Sequence, residues 1–167
     1  MNDLDRGSSG DSMRDLSRRS LICYDGTDSA RAAVAAAGDV LEGSAVVLTV
    51  WEPVPPLDHA RPLDAYLSVL GPAPAELDSA AEDQARRVAA EGAEAARAAG
   101  LDAAPLTERS RGRIASTLVA VADEQNAGLI VIGAHGHPSP GPKLLGGTAN
   151  AVLYEAHRPV LVVPPTE

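Results

Sequence analysis

The chain has 167 residues, 45% of them hydrophobic, with no phenylalanine, one cysteine and a formal net charge of −9. This length suits one ordinary domain with a full core, and the negative charge argues against DNA or RNA as a partner, because phosphate backbones need clustered Lys and Arg. One cysteine excludes an internal disulfide, and no apolar run reaches the roughly 18 residues that predict a membrane span.

The N-terminal segment 1–19 is polar and rich in Asp, Arg, Ser and Gly. Such a composition cannot bury enough apolar surface to order the chain, so we expect a disordered tail. The segment also lacks the apolar centre of a secretion signal. We therefore expect a cytoplasmic protein.

Strands and helices alternate along the remaining chain. Five apolar runs predict strands, at residues 21–24, 46–51, about 103–107, 129–132 and 160–163. Four Ala-rich segments with helical spacing lie between them, at residues 29–37, 79–99, 114–125 and 148–157. This order predicts a single doubly wound α/β domain, with a parallel sheet and helices on both faces.

One proline-rich segment interrupts the alternation, at residues 52–76. It follows the second predicted strand, at the sheet edge where ligands bind in such folds. A loop of this length is typically functional or mobile. Residues 64–70 could form a short helix within it.

An acidic turn, Asp25 to Ser29, follows the first predicted strand. A carboxylate at the carboxyl end of a strand faces the ligand crevice, where Asp25 could accept hydrogen bonds from an adenine amino group or a ribose hydroxyl. Asp, Gly, Thr and Ser are equally ordinary turn and helix-capping residues. Both interpretations stay open from the sequence.

A glycine-rich loop separates the fourth predicted strand from the last predicted helix. Its glycines are Gly133, Gly136, Gly141, Gly146 and Gly147. Backbone N–H groups in such a loop, together with a helix N-terminus, form a cradle for phosphate. Neither the Walker A pattern nor the dinucleotide pattern G-x-G-x-x-G is present. His135 and His137 lack an obvious third ligand, so we predict no metal site there.

The loop matches a third pattern, G-2x-G-9x-G, formed by Gly133, Gly136 and Gly146. This spacing resembles the nucleotide loop of the universal stress protein family. The segments ICYDGT at 22–27, AGLIVIG at 127–133 and RPVLVVP at 158–164 are similar to strands of the same family. The resemblance covers a domain over residues 20–165.

The resemblance implies the adenine-nucleotide-alpha-hydrolase-like fold, with strand order 3-2-1-4-5. It also implies an ATP-binding, nucleotide-responsive stress regulator, with ATP bound alone or with Mg²⁺ and hydrolysed slowly at most; we assign no catalytic residue. The implied nucleotide-binding residues are Cys23, Asp25, Val50, Ile132, Gly133, Gly136, Gly146, Gly147 and Thr148. The family further implies a homodimer through the last strand, 160–163.

Two features depart from the family pattern. Gly147 stands where the family has Ser or Thr, and a missing hydrogen bond to a charged oxygen costs about 1.5–3 kcal/mol. Pro138, Pro140 and Pro142 each remove a backbone donor from the loop. Both departures favour an alternative in which the chain is a dimeric scaffold that binds no nucleotide.

An adenylating enzyme of the ATP pyrophosphatase type is a third hypothesis, because its S-G-G-x-D-S motif overlaps the turn after the first strand. Tyr24 and Asp25 stand where Ser and Gly would be needed. An anion in that place repels the phosphates of the ligand, which argues against this enzyme class.

Overall fold

The computed structural model describes residues 19–54, 72–135 and 145–164. These residues form five strands and four helices, which we number in chain order. The elements are β1 (Ser20–Cys23), α1 (Asp28–Val40), β2 (Ser44–Trp51), α2 (Pro74–Ala98), β3 (Asp102–Arg109), α3 (Ile114–Glu124), β4 (Leu129–Gly133), α4 (Gly147–Glu155) and β5 (Val160–Val163).

All five strands run parallel in one sheet of order β3-β2-β1-β4-β5. The predicted α/β fold and its strand order are therefore confirmed. In the centre, Ile22 of β1 lies beside Val47 of β2 and Val131 of β4. The chain leaves β1 towards β2 on one side and reaches β4 on the other, so the strand order reverses between β1 and β4.

Helix α2 begins at Pro74, earlier than the predicted start at residue 79. Proline suits the first turn of a helix, because the N–H group that it lacks would have no intrahelical partner there. The sequence pattern places these residues in the proline-rich segment 52–76, so this part of the prediction is wrong. The side chain of Asp78, in the second turn, accepts a hydrogen bond from the Val54 N–H at 2.8 Å and so ties the residues that follow β2 to the helix.

One face of the sheet packs against α1 and α2, whose buried residues are mostly alanines such as Ala33, Ala37 and Ala93. Small side chains let these helices lie close to the strands. At Gly92 the approach is so tight that a Cβ atom would lie 2.6 Å from the ring of Tyr24. This face is therefore densely filled.

A polar network fastens the same face at its carboxyl edge. The Tyr24 hydroxyl donates to Glu91 of α2 at 2.8 Å, and Arg31 of α1 donates to the same carboxylate oxygen at 3.0 Å. Burial, and then the hydrogen bond to Glu91, raise the pKa of Tyr24 to about 12. The network joins the end of β1 to both helices.

The opposite face packs against α3 and α4. Leu21, Cys23, Leu48 and Ile130 from the strands meet Leu118 and other apolar residues of these helices. Both α3 and α4 begin at the carboxyl edge of the sheet, directly after the segments that follow β3 and β4. Their first turns therefore border the place where a ligand is expected.

Several predicted features lie outside the described residues: the tail up to residue 18, the short helix at 64–70, and Pro138, Pro140 and Pro142. The described helices include none that is long and apolar enough to cross a membrane.

Candidate functional site

A cavity of about 410 Å³ opens at the carboxyl edge of the sheet, where the strand order reverses. It lies on the face covered by α3 and α4. The structure brings eight of the predicted site residues into its lining: Cys23, Asp25, Val50, Ile132, Gly133, Gly146, Gly147 and Thr148. The ninth, Gly136, lies outside the described residues.

Asp25 lies in the turn between β1 and α1 and has a structural task there. Its Oδ1 accepts hydrogen bonds from the Thr27 N–H at 3.0 Å and from the Thr27 hydroxyl at 2.6 Å. Thr27 in turn caps α1 by accepting from the Ala30 N–H at 3.3 Å. The carboxylate nevertheless lines the cavity and is exposed. The two interpretations of the sequence are thus compatible: Oδ1 holds the turn, and the same carboxylate group lines the cavity.

Gly133 ends β4 at a point where α1 approaches the sheet closely. A Cβ atom at this position would lie 2.5 Å from Ser29 Oγ and 2.7 Å from the Ser29 carbonyl oxygen. The buried Ser29 hydroxyl also accepts a hydrogen bond from the His135 N–H at 3.3 Å. The glycine is therefore required for packing between α1 and β4, whatever it contributes to a ligand.

The N-terminus of α4 supplies hydrogen-bond donors to the cavity. Gly146 is the N-cap, without a side-chain cap, and the helical ladder starts with the bond from the Asn150 N–H to the Gly146 carbonyl at 2.9 Å. The N–H groups of Gly147, Thr148 and Ala149 precede that ladder and have no acceptor within the helix, the arrangement that binds anions at helix N-termini. The Gly146 N–H donates to the Ala134 carbonyl at 2.7 Å and is already used.

Gly147 itself is exposed. A Cβ atom built there meets no atom of residues 19–54, 72–135 or 145–164 within 4 Å. The absence of the hydroxyl that the family pattern has at this position is therefore not imposed by crowding from these residues. A serine would fit at the mouth of the cavity.

Cys23 lines the cavity from the end of β1 but is only 8% exposed. Burial, and to a lesser degree the nearby Asp25 carboxylate, raise the pKa of its thiol to about 12. The group is an uncharged apolar wall at neutral pH. Burial and the raised pKa disfavour the thiolate, which is the nucleophilic form of the group.

Sequence reasoning missed one wall of the cavity altogether. Ile114 and Leu118 of α3 face it, and Leu48 and Ala30 complete the apolar part of the lining. The spacing of Ile114 and Leu118 places them on one side of a helix. That spacing signals a buried face, but it does not distinguish a face packed on the core from one that borders a cavity.

The electrostatics of the lining are simple. Among the described lining residues, Asp25 is the only carboxylate, His135 is the only imidazole, and no Lys or Arg is present. Among the described groups, the N-terminus of α4 attracts an anion, because it carries roughly half an elementary positive charge. The described residues contain no cluster of three or more His, Cys, Asp or Glu that could hold a metal ion.

Comparisons with known proteins agree with this geometry. The model of the universal stress protein family matches residues 17–164. A protein of that family from Burkholderia pseudomallei is 24% identical, with a TM-score of 0.65, and the match covers 90% of this chain and 98% of that one.

Two further solved structures share the fold. A universal stress protein in complex with cAMP is 22% identical (TM-score 0.56), and the match covers 89% of this chain and 98% of that one. The universal stress protein of Archaeoglobus fulgidus in complex with dAMP is 16% identical (TM-score 0.55), with the same coverage of both chains.

The raised pKa of Cys23 predicts slow labelling of the folded protein. Because the pKa rises from 9.0 to about 12, the thiolate fraction at pH 8 falls about a thousandfold relative to an exposed cysteine. We expect Ellman's reagent to react with Cys23 quickly in guanidinium and very slowly in native buffer. Equal rates in both conditions would contradict the buried, neutral assignment.

Proposed function

The chain belongs to the universal stress protein family, and from this premise we propose that it binds an adenine nucleotide, in the first place ATP, as a nucleotide-responsive stress regulator. The proposed binding domain comprises residues 20–165. The observation that carries the proposal is the cavity itself: it lies at the reversal of strand order and is bordered by the first N–H groups of α4, which have no acceptor within the helix.

The distribution of polar and apolar groups supports a nucleotide. Val50, Ile132 and Leu48 offer an apolar surface for a base, and the N–H groups of Gly147 and Thr148 offer donors for a phosphate. Asp25 lies within the same cavity as an acceptor for a ribose hydroxyl or a base amino group. Two structural neighbours are complexes with cAMP and dAMP, which also contain adenine, ribose or deoxyribose, and one phosphate.

The proposed role of this site is binding. Cys23 is a neutral thiol, and Asp25 already accepts two hydrogen bonds from Thr27. ATP, with or without Mg²⁺, would act by occupying the site, with slow hydrolysis at most. The bound nucleotide would then regulate by stabilising the conformation of the protein that binds it better.

We also propose a homodimer through β5. This strand is an edge of the sheet, and Val160, Leu161 and Val162 are partly exposed. The Val163 carbonyl accepts from the Ala134 N–H of the segment after β4. Because backbone groups alternate along a strand, the N–H and C=O groups of Val162 point to the free edge, where a second strand can pair with them.

A scaffold that binds no nucleotide is the second candidate. Two observations favour it: no cation lines the described part of the cavity, and Gly147 provides no hydroxyl. It shares the fold and the proposed dimer with the first candidate. Nucleotide affinity distinguishes the two.

The role of Asp25 can be tested by calorimetric titration with ATP and Mg²⁺. We expect the wild type to bind and D25A to bind about tenfold or more weakly, because a hydrogen bond to a charged acceptor is worth about 1.5–3 kcal/mol. D25N keeps an acceptor for the Thr27 N–H but removes the negative charge. It therefore distinguishes the effect of the charge from the effect of losing the turn. D28A is the matched control: Asp28 pairs with Arg31 at 3.1 Å and does not line the cavity. Equal affinities for all variants would place the site elsewhere.

The open space at Gly147 predicts that a hydroxyl can be restored. We expect G147S to bind ATP about tenfold more tightly, because it adds a donor to a phosphate oxygen at little steric cost. G147A adds the Cβ atom alone and serves as the control. If neither the wild type nor G147S binds any nucleotide in calorimetry, the scaffold interpretation is correct.

The dimer proposal predicts a specific effect of V162P. The Val162 N–H is not used within the sheet, so proline is tolerated there but cannot donate to a partner strand. By light scattering at micromolar concentration we expect a dimer for the wild type and for V160A, and a monomer for V162P with an unchanged circular dichroism spectrum. A monomeric wild type would refute the dimer.

A further inference from the structure

The cavity is enclosed by two apolar walls that belong to different layers of the fold. On one side lie strand residues that all point to the same face of the sheet, Cys23, Val50 and Ile132. On the other side lie Ile114 and Leu118 of α3. The space between them is therefore a slot between sheet and helix. A slot of this kind suits a flat, uncharged ring with both faces covered.

The extent of the walls indicates the size of that ring. The strand wall spans β2, β1 and β4, which are neighbours in the sheet, so it is about 10 Å wide. The helix wall extends over one turn from Ile114 to Leu118, about 6 Å along the axis. A bicyclic ring covers both walls, whereas a single six-membered ring leaves part of them in contact with water.

Glu155, the last residue of α4, ties the helix wall to α4, the helix whose N-terminus borders the cavity. Its Oε1 pairs with Arg113, the N-cap of α3, at 2.9 Å. Its Oε2 accepts from the Ser116 hydroxyl in the first turn of α3 at 2.8 Å. Ile114 lies between these two partners. One carboxylate thus links the residues on both sides of Ile114 to the helix whose N-terminus borders the cavity.

We propose that α3 determines the base specificity of this site. Ile114 and Leu118 stack on the base and select a bicyclic ring, and Glu155 is a positioning residue that holds this wall at its distance. The inference rests on the proposed nucleotide-binding function and deepens it. It assigns selection of the base to a helix that the glycine-loop motif does not include.

The assignment separates base recognition from phosphate recognition. Ile114 and Leu118 contribute no polar group, so they act on the base alone, and the α4 N-terminus acts on the phosphate alone. A change in the helix wall should therefore lower the affinities for AMP and ATP by the same factor. It should lower the affinity for CMP less, because the smaller pyrimidine ring contacts less of the wall.

Calorimetric titration of AMP, ATP and CMP into the wild type and I114A tests the inference. We expect I114A to lower the affinity for AMP and ATP about five- to tenfold, from lost apolar contact, and to narrow the ratio of AMP to CMP affinity. V119A is the matched control, because Val119 is a partly buried residue of the same helix and does not line the cavity. Thermal unfolding of each variant verifies that it is folded.

The positioning role has its own readout. E155A should lower the ratio of AMP affinity to CMP affinity, as I114A does. E155Q should return this ratio close to the wild-type value, since the Gln carbonyl oxygen can still accept a hydrogen bond from Arg113. E124A removes the ion pair of Arg111 with the far end of α3 and should leave the ratio unchanged. A purely structural role for Glu155 would lower stability without moving the ratio.

The outcomes distinguish the two levels of the proposal. If the wild type binds none of the three nucleotides, the proposed function and the inference both fail. If it binds AMP but I114A binds equally well, or V119A weakens binding as much as I114A, the inference fails and the proposed function stands. A ratio that narrows for I114A and E155A alone supports the assignment to α3.

Discussion

The close approach of α1 to the end of β4 at Gly133 is the constraint on which the site depends. Ser29, in the first turn of α1, occupies the space that a side chain at Gly133 would need. Its hydroxyl also accepts a hydrogen bond from the His135 N–H, in the segment after β4. This contact places the turn that contains Asp25 beside the loop that follows β4. Forcing a larger residue into such a contact costs about 1–3 kcal/mol. The cavity exists because these two turns converge.

The two faces of the sheet have different roles: one is tightly packed and the other borders the cavity. The face under α1 and α2 is filled by alanines and fastened by Tyr24, Glu91 and Arg31, so it holds the strands rigidly. On the other face, α3 and α4 begin at the carboxyl edge and leave a cavity between their first turns and the strand ends. A rigid face behind the strands keeps the groups that border the cavity in place before any ligand arrives.

The sequence predicted the fold well because its signals are local. The strands are compact apolar runs, and the alternation with Ala-rich helices leaves few arrangements. It predicted the lining of the cavity less completely. Gly133 looked like a ligand contact, but its packing against Ser29 depends on a residue about one hundred positions away in the chain. Ile114 and Leu118 were missed because helical spacing shows that a face is buried, and only the tertiary arrangement shows what that face meets.

The central claim is that the N-terminus of α4 and the slot beside it form one nucleotide site. Titration of ¹⁵N-labelled protein with AMP, followed by amide resonances, tests it most directly. The account predicts that the largest shifts occur at Gly147 and Thr148, with further shifts at Asp25 and Ile114 and none at the far edge of the sheet around Ala104. Shifts that are absent, or that cluster away from the carboxyl edge, would contradict it.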